Sequence, residues 1–218
     1  GLLEEGETAA SNGGRAPRRL RFRADAGRLL VATLDRTSIS VGIADLSGKL
    51  IGEHHEAAEL ESGAAAIVDR LTTLFTWMAE DQGGRDAIWG VGLAVPGPVD
   101  TEAGAPLALE AEENWRDFDF AAELELRFGA PAWIRSGTEM MTIGEMQSGD
   151  GDGDMLFVKL GRTISAGVVS GGRLQRGAHG AAGMIGHVQT GETATVTCRC
   201  GSRFCLEAVA GGDAVARA

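Results

Sequence analysis

Two short β-rich runs, Leu29–Leu34 and Ile39–Ala44, form the first strongly patterned stretch of the chain. The turn Asp45-Leu46-Ser47-Gly48-Lys49 leads into a third run around Leu50–His54. Strands this close, joined by short turns, predict an antiparallel meander. The period then changes. Over residues 62–80, Ile67, Leu71, Leu74, Phe75 and Met78 recur at helical spacing, and Gly83-Gly84 closes the segment. Ile88–Val95 reads as a buried strand, ended by Pro96-Gly97-Pro98. Pro and Gly force a turn there, at the end of a strand where α/β folds place ligand loops. A short helix over 119–128, a strand at Pro131–Ile134 and a helix from Thr138 to Gln147 follow. The acidic, Gly-rich run at 148–154, SGDGDGD, reads as a loop. Strand character resumes at Met155–Leu160 and Ile164–Val169, with a hairpin turn at Ser170–Arg173 and a return at Leu174-Gln175. A last helix begins near Cys205. Meander, helix, strand, helix and strands again predict two α/β lobes.

Residues 1–24 stand apart, because they are polar, rich in Gly and Arg, and lack a sustained apolar period. They read as a linker. Their cluster of Arg15, Arg18, Arg19, Arg21 and Arg23 is the one basic stretch in a chain of net charge −11. That overall charge argues against nucleic-acid binding by the bulk of the chain, since phosphate contacts need a basic surface. The bland account of the arginines is a solvated linker or edge strand. No apolar run approaches the ~20 residues of a membrane span, and no basic-then-apolar leader opens the chain. A cytoplasmic location without membrane contact is the expectation. The 33 glycines suggest many tight turns, or loops that bring backbone close to a ligand.

The most specific chemistry lies in Thr197-Cys198-Arg199-Cys200-Gly201-Ser202-Arg203-Phe204-Cys205-Leu206-Glu207, which holds all three cysteines. Clustered thiols in a reducing compartment point to metal before disulfide. A closed structural zinc site needs four ligands, and His187 is the best candidate for the fourth. The competing account is three reduced, buried thiols beside a satisfied core histidine.

The pattern Cys-x-Cys-Gly-x-x-x-Cys-x-Glu, preceded by Ala-Gly-x-Ile-Gly-His, resembles the signature of the ROK family (repressor, open reading frame, kinase). The resemblance extends over Arg28–Gly48, Val91–Asp100, Ala132–Glu145, Leu160–Gly180 and Ala182–Glu207. It implies an α/β fold of the actin and hexokinase type, with two RNase-H-like lobes around a cleft. On that reading 1–24 is a linker after a winged helix-turn-helix, 25–136 the first lobe, and 137–218 an incomplete second lobe. It also implies a structural zinc on His187, Cys198, Cys200 and Cys205, with the braced loop at a sugar site. Phe204 departs from the pattern, standing where the family usually has Gly.

Sugar kinases of this kind hold ATP phosphates against backbone N–H groups and deprotonate a sugar hydroxyl. The first phosphate loop of the family, Asp-x-Gly-Gly-Thr, corresponds here to Thr33-Leu34-Asp35-Arg36-Thr37, which lacks both glycines. The second corresponds to Gly161–Gly167, where only the terminal glycines remain. The family's Asn-Asp pair, whose Asp is the general base, corresponds to Ser136-Gly137, and glycine accepts no proton. Glu139 is read as the far side of a capping box with Ser136, not as a replacement base. Of the sugar-binding residues implied by the family, Met184 replaces a Glu, while His187 and Glu207 remain as ligand-binding candidates. The expectation is therefore no catalytic residue and no enzyme.

The opening Gly1-Leu2-Leu3-Glu4-Glu5-Gly6 and Gly13-Gly14-Arg15-Ala16-Pro17 resemble the segment that follows the DNA-binding head of ROK repressors. The resemblance thus implies the effector-sensing and oligomerisation domain of a transcriptional regulator. Its effector is a small molecule, a sugar or sugar derivative; DNA is reached only through a separate head, and a homo-oligomer is expected. The alternatives are an ATP-dependent sugar kinase of the same family and a scaffold whose cleft binds nothing.

Overall fold

The structure is a computed structural model describing residues 1–8, 18–58, 63–100, 103–106, 115, 118–149, 153–178, 180–191 and 197–217. The chain divides into two compact units, one of Gly1–Leu93 with Asp119–Trp133, the other of Ala94–Phe118 with Ile134–Ala218. The partition is discontinuous, whereas the sequence reading draws single cuts at 24 and 136.

The first unit is built on the predicted meander. Strands β3 (Arg28–Asp35), β4 (Ser38–Asp45) and β5 (Leu50–Ala57) run antiparallel, with Leu34 opposite Ile39 and Val41 opposite His54. Strands β6 (Ile88–Val95) and β9 (Ala132–Ser136) extend the sheet in the order β5-β4-β3-β6-β9. Side chains alternate across the pleat. Leu30, Ala32 and Leu34 of β3 are buried while Val31, Thr33 and Asp35 are exposed, and Ile39, Val41 and Ile43 of β4 continue the buried face. Helix α1 (Ala64–Glu80) packs on β4 and turns Ile67, Val68, Leu71, Leu74 and Phe75 inward. Helix α2 (Phe120–Phe128) starts at Asp119, whose carboxylate accepts a hydrogen bond from the Ala122 N–H at 2.9 Å. It ends at Gly129, whose left-handed conformation suits glycine. Phe75 and Phe128 join the helices edge to face at 5.7 Å.

The segment read as a linker is structured in part. Strands β1 (Leu3–Thr8) and β2 (Arg18–Phe22) pair antiparallel, with Glu4 opposite Arg21 and Glu5 opposite Leu20. Opposite charges set across the pair account for strands in a stretch without apolar period: Arg21 donates to Glu4 at 2.7 Å, and Arg18 pairs with Glu5. Arg15 and Gly13-Gly14 lie outside the described residues, as does the centre of the 148–154 loop.

In the second unit, β10 (Met155–Leu160), β11 (Ile164–Ser170) and β12 (Arg173–Gln175) form an antiparallel sheet. Helix α3 (Gly137–Ser148) sits on β11. Thr142, fully buried, lies where a Cβ on Gly167 would come within 1.8 Å of its hydroxyl. Thr138 Oγ1 meets Ser165 Oγ at 2.7 Å. Two short strands, β7 (Val99–Asp100) and β8 (Ala105–Pro106), follow the Pro96-Gly97-Pro98 turn. The chain continues through α4 (Leu206–Ala210) and α5 (Gly212–Val215). Among the described residues no helix is long and apolar enough to cross a membrane.

One ion pair of the first unit gives the fold a pH signature. Arg70 of α1 grips Glu56 of β5 through two hydrogen bonds of 2.6 Å, and His54 stands 3.1 Å away. The Arg70 bonds, with His54 adding to them, pull the Glu56 carboxyl down to about 2 from an ordinary 4.5. A depressed folded-state value means this stabilisation is complete above about pH 4.5 and fades as pH falls toward 2. Half of Arg70 is in water, which limits the contribution to about 1 kcal/mol. Glu56→Gln is expected to lose that amount at pH 7 in urea melts and to flatten the stability profile between pH 5 and 2.

Candidate functional site

The loop that carries His187 lies flat against β11, and glycine makes this possible. Gly183 has φ +85°, and a Cβ there would fall 1.8 Å from the Ala166 carbonyl oxygen. At Gly186 a Cβ would fall 2.3 Å from the Ile164 carbonyl oxygen and 3.0 Å from Glu207 Oε2. The contact is held by the Ala166 N–H, which donates to Gly183 O at 2.7 Å. A single 3-10 turn, Ile185–His187, then presents the histidine.

The cysteines reach the same place from the other side of the loop. Cys198 closes a tight turn, its N–H bonded to Ser202 O and its carbonyl to the Gly201 N–H, both at 2.8 Å. Cys205 is the N-cap of α4 and is paired across an isolated bridge to Gln189. One donor atom each of His187, Cys198, Cys200 and Cys205 lies within 4.8 Å of the others. Within the group, Cys200 Sγ and Cys205 Sγ are 3.4 Å apart, and Cys198 Sγ and His187 Nδ1 3.5 Å. Tetrahedral ligation with metal–sulfur bonds of about 2.3 Å and a metal–nitrogen bond of about 2.0 Å gives separations of roughly 3.5 Å for sulfur to nitrogen and roughly 3.8 Å for sulfur to sulfur. The four donors are grouped closely enough to hold one metal ion after small adjustments of the sulfur positions. All four predicted ligands are brought together.

Burial pushes the Cys198 thiol up to about 12, while the Ser202 backbone hydrogen bond leads the lowering of Cys200 to about 7. Burial thus favours the neutral thiol at Cys198, and a cation among the sulfurs would favour the thiolates that ligate it.

Glu207 follows Cys205 on the first turn of α4, and its Oε2 accepts a hydrogen bond from the Ile164 N–H at 2.9 Å. The residue thus ties the cysteine loop to β11 as well as bordering it. Beyond it, the β10–β11 turn at 161–163 is covered by the start of α5. The Gly212 N–H donates to Gly161 O at 2.8 Å, and Arg162 pairs with Asp213 at 3.2 Å.

The β9–α3 junction corrects one expectation. Ser136 is the N-cap of α3 but makes no side-chain capping bond. Glu139 does not reach back to it; its Oε1 lies 3.0 Å from Arg176 Nε, and its Oε2 is buried without a partner. The capping box is absent because a guanidinium within reach outcompetes a neutral backbone N–H. Arg176 was legible as a basic residue after a hairpin, but nothing local in the sequence couples it to Glu139. In the first unit, the β3–β4 turn carries Asp35, whose Oδ1 accepts from the Arg36 N–H at 2.8 Å.

Comparison with known proteins agrees with the motif reading. The ROK family profile matches residues 33–218. A glucokinase of Halalkalibacterium halodurans is 28% identical over 184 residues, covering 83% of this chain and 56% of that protein. A xylose repressor of Bacillus spizizenii is 28% identical over 210 residues, covering 94% of this chain and 53% of the repressor. The crystal structure of a ROK family transcriptional regulator, a homologue of Escherichia coli Mlc, superposes with a TM-score of 0.79 at 22% identity, covering 99% of this chain and 55% of that one. The chain spans about half the length of the curated relatives it matches.

Gly183→Ala is expected to cost at least about 2 kcal/mol in urea melts, since it adds a clash with backbone to a left-handed φ. Probed by hydrogen exchange, the 183–188 loop should lose protection in that variant before the five-stranded sheet does. With signature, fold and profile in agreement, the chain belongs to the ROK family.

Proposed function

We propose that this chain is the effector-sensing core of a ROK-type transcriptional regulator and that it does not transfer phosphoryl groups. The observation that carries the reading is the β9–α3 junction. The position that needs a proton acceptor is Gly137, and the carboxylate two residues on, Glu139, is held by Arg176 at 3.0 Å. The turn at Asp35-Arg36 supports it, because side chains replace the glycines that let backbone approach a phosphate. So does the β10–β11 turn, whose Gly161 carbonyl and Arg162 side chain are already engaged by Gly212 and Asp213.

The effector in this reading is a small sugar or sugar derivative, bordered by His187 and Glu207. A relative named xylose repressor supports control by a sugar. DNA contact belongs to a separate head, since this chain carries a net charge of −11. The regulator acts as a homo-oligomer. His187, Cys198, Cys200 and Cys205 hold one structural zinc, chosen over other ions by three soft thiolates and an imidazole. The ion supplies no chemistry to a reaction; it fixes the loop that carries His187 and sets Glu207 against β11.

The second reading is a sugar kinase, favoured by the similarity to a glucokinase. Incubation with ATP, magnesium and a panel of hexoses separates the two. No transfer above the protein-free control is expected, and turnover that disappears on Glu139→Gln would reverse the assignment. For zinc, elemental analysis should find about one ion per chain. Removing the metal with a chelator, or replacing Cys205 by Ala, is expected to lower the melting temperature by ~5 °C or more.

A further inference from the structure

The three sulfurs of the cysteine loop differ in how far solvent reaches them. Cys198 and Cys205 are buried, with 6% and 1% of their surface exposed, whereas Cys200 is exposed. Cys200 rides on the turn that Cys198 and Ser202 close, and a Cβ on the neighbouring Gly201 would meet no atom within 4 Å. A reagent in solution therefore reaches Cys200 first and meets the other two sulfurs only behind it.

Distance then selects a partner for it. Cys200 Sγ lies 3.4 Å from Cys205 Sγ, closer than the ~3.8 Å that two sulfurs keep around one tetrahedral zinc. Cys198 Sγ instead has His187 Nδ1 beside it at 3.5 Å. A bond from Cys200 to Cys198 would also have to close across one residue of a turn already fixed by two hydrogen bonds of 2.8 Å. Cys205 is held in place by backbone alone. It pairs with Gln189 across an isolated bridge, the Thr190 N–H donates to Phe204 O at 2.9 Å, and the Leu206 N–H donates to Val188 O at 2.9 Å. An exposed sulfur beside a fixed, buried one is the arrangement of an attacked cysteine and its resolving cysteine.

We propose that Cys200 and Cys205 form a peroxide-sensitive modification site, in which oxidation joins the two sulfurs and withdraws two of the four metal donors. The Cys200 sulfur attacks one oxygen of hydrogen peroxide. An S–O bond forms as the O–O bond breaks, and the departing hydroxide takes a proton to become water. The Cys205 sulfur then attacks the sulfenic sulfur of Cys200. The S–S bond forms, the S–O bond breaks, and the second hydroxide leaves with a proton as water. The two thiols are oxidised by two electrons, their protons leave in the waters, and one peroxide is reduced to two waters. With only His187 and Cys198 left, the donor set no longer closes around an ion. Glu207 keeps its bond to the Ile164 N–H, so the freedom gained is that of His187 and the 198–202 turn. Ion release rests on the zinc reading above; the choice of sulfurs does not.

Peptide mapping of the intact 218-residue chain, treated with hydrogen peroxide and then alkylated under denaturing conditions, tests the pairing. A chromogenic chelator follows released zinc in the same reaction. The expected product is a disulfide between Cys200 and Cys205 with Cys198 recovered alkylated, about one zinc ion freed per disulfide, and both thiols restored by dithiothreitol. Without peroxide, brief exposure of the native chain to iodoacetamide should alkylate Cys200 ~10-fold or more faster than either buried cysteine. Cys200→Ser, checked for folding by thermal melt, should form no Cys198–Cys205 bond in the time that oxidises the unaltered chain fully. If that variant does not fold, mapping and alkylation of the unaltered chain carry the test. A bond that includes Cys198, oxidation of Cys198 ahead of any disulfide, or alkylation of Cys200 no faster than the others overturns the inference and leaves the zinc reading intact. Zinc retained after the Cys200–Cys205 bond has formed overturns the release step. A chain isolated without zinc overturns the zinc reading alone, and the mapped pair still decides the inference.

Discussion

Contact between two stretches of backbone organises the second unit. Residues 183–186 lie so close to β11 that a methyl group at either Gly183 or Gly186 would overlap a carbonyl oxygen. From that contact the rest follows. His187 emerges at the edge of β11, the cysteine turn closes over it, and Glu207 reaches across to the Ile164 N–H. The start of α5 then settles on the β10–β11 turn through Gly212 and Asp213. Hydrogen bonds of modest net worth thus become directive, because steric exclusion leaves the loop one way to lie. The four side chains that could hold a metal ion come from separate loop segments, and the backbone contact places the first of them.

The first unit depends on another principle. Its sheet is amphipathic with a period of two, and α1 and α2 cover the buried face with side chains at helical spacing. Charge pairs stay at its margins, among them the network of Glu56, Arg70 and His54 beside α1. The two units therefore place their polar chemistry differently. In one it secures an edge; in the other it converges around the loop and the β9–α3 junction.

Most of the element order was legible because its signals are local. Apolar alternation gave β3 and β4, the 3.6-residue period gave α1, and Gly171-Gly172 marked the β11–β12 turn, each with boundaries shifted by a few residues. The four metal-ligand candidates were legible as well, since three lie within eight positions and the family signature supplies the fourth. What was not legible depends on distance along the chain. The β1–β2 pair is stabilised by charges that meet only once the strands register, so a polar, aperiodic stretch concealed it. The Glu139–Arg176 pair joins residues on different elements, and the local capping pattern at Ser136 suggested a partner that the folded chain replaces. The division of the compact units is likewise discontinuous, with Ala94–Phe118 assigned to the second and Asp119–Trp133 to the first.

In the proposed effector site, Glu207 carries a consequence for selectivity. One of its oxygens is already committed to Ile164, and withdrawing it would strand a backbone donor at a cost of about 1–3 kcal/mol. The two oxygens of this carboxylate are therefore unequal, since Oε2 is tethered to the Ile164 N–H. The tether also restrains the plane of the carboxylate group. Two hydroxyls arranged to grip a carboxylate in a symmetric fork would be at a disadvantage against a single hydroxyl presented from one side. Stereochemical preference can therefore arise at Glu207 from what the carboxylate is prevented from doing.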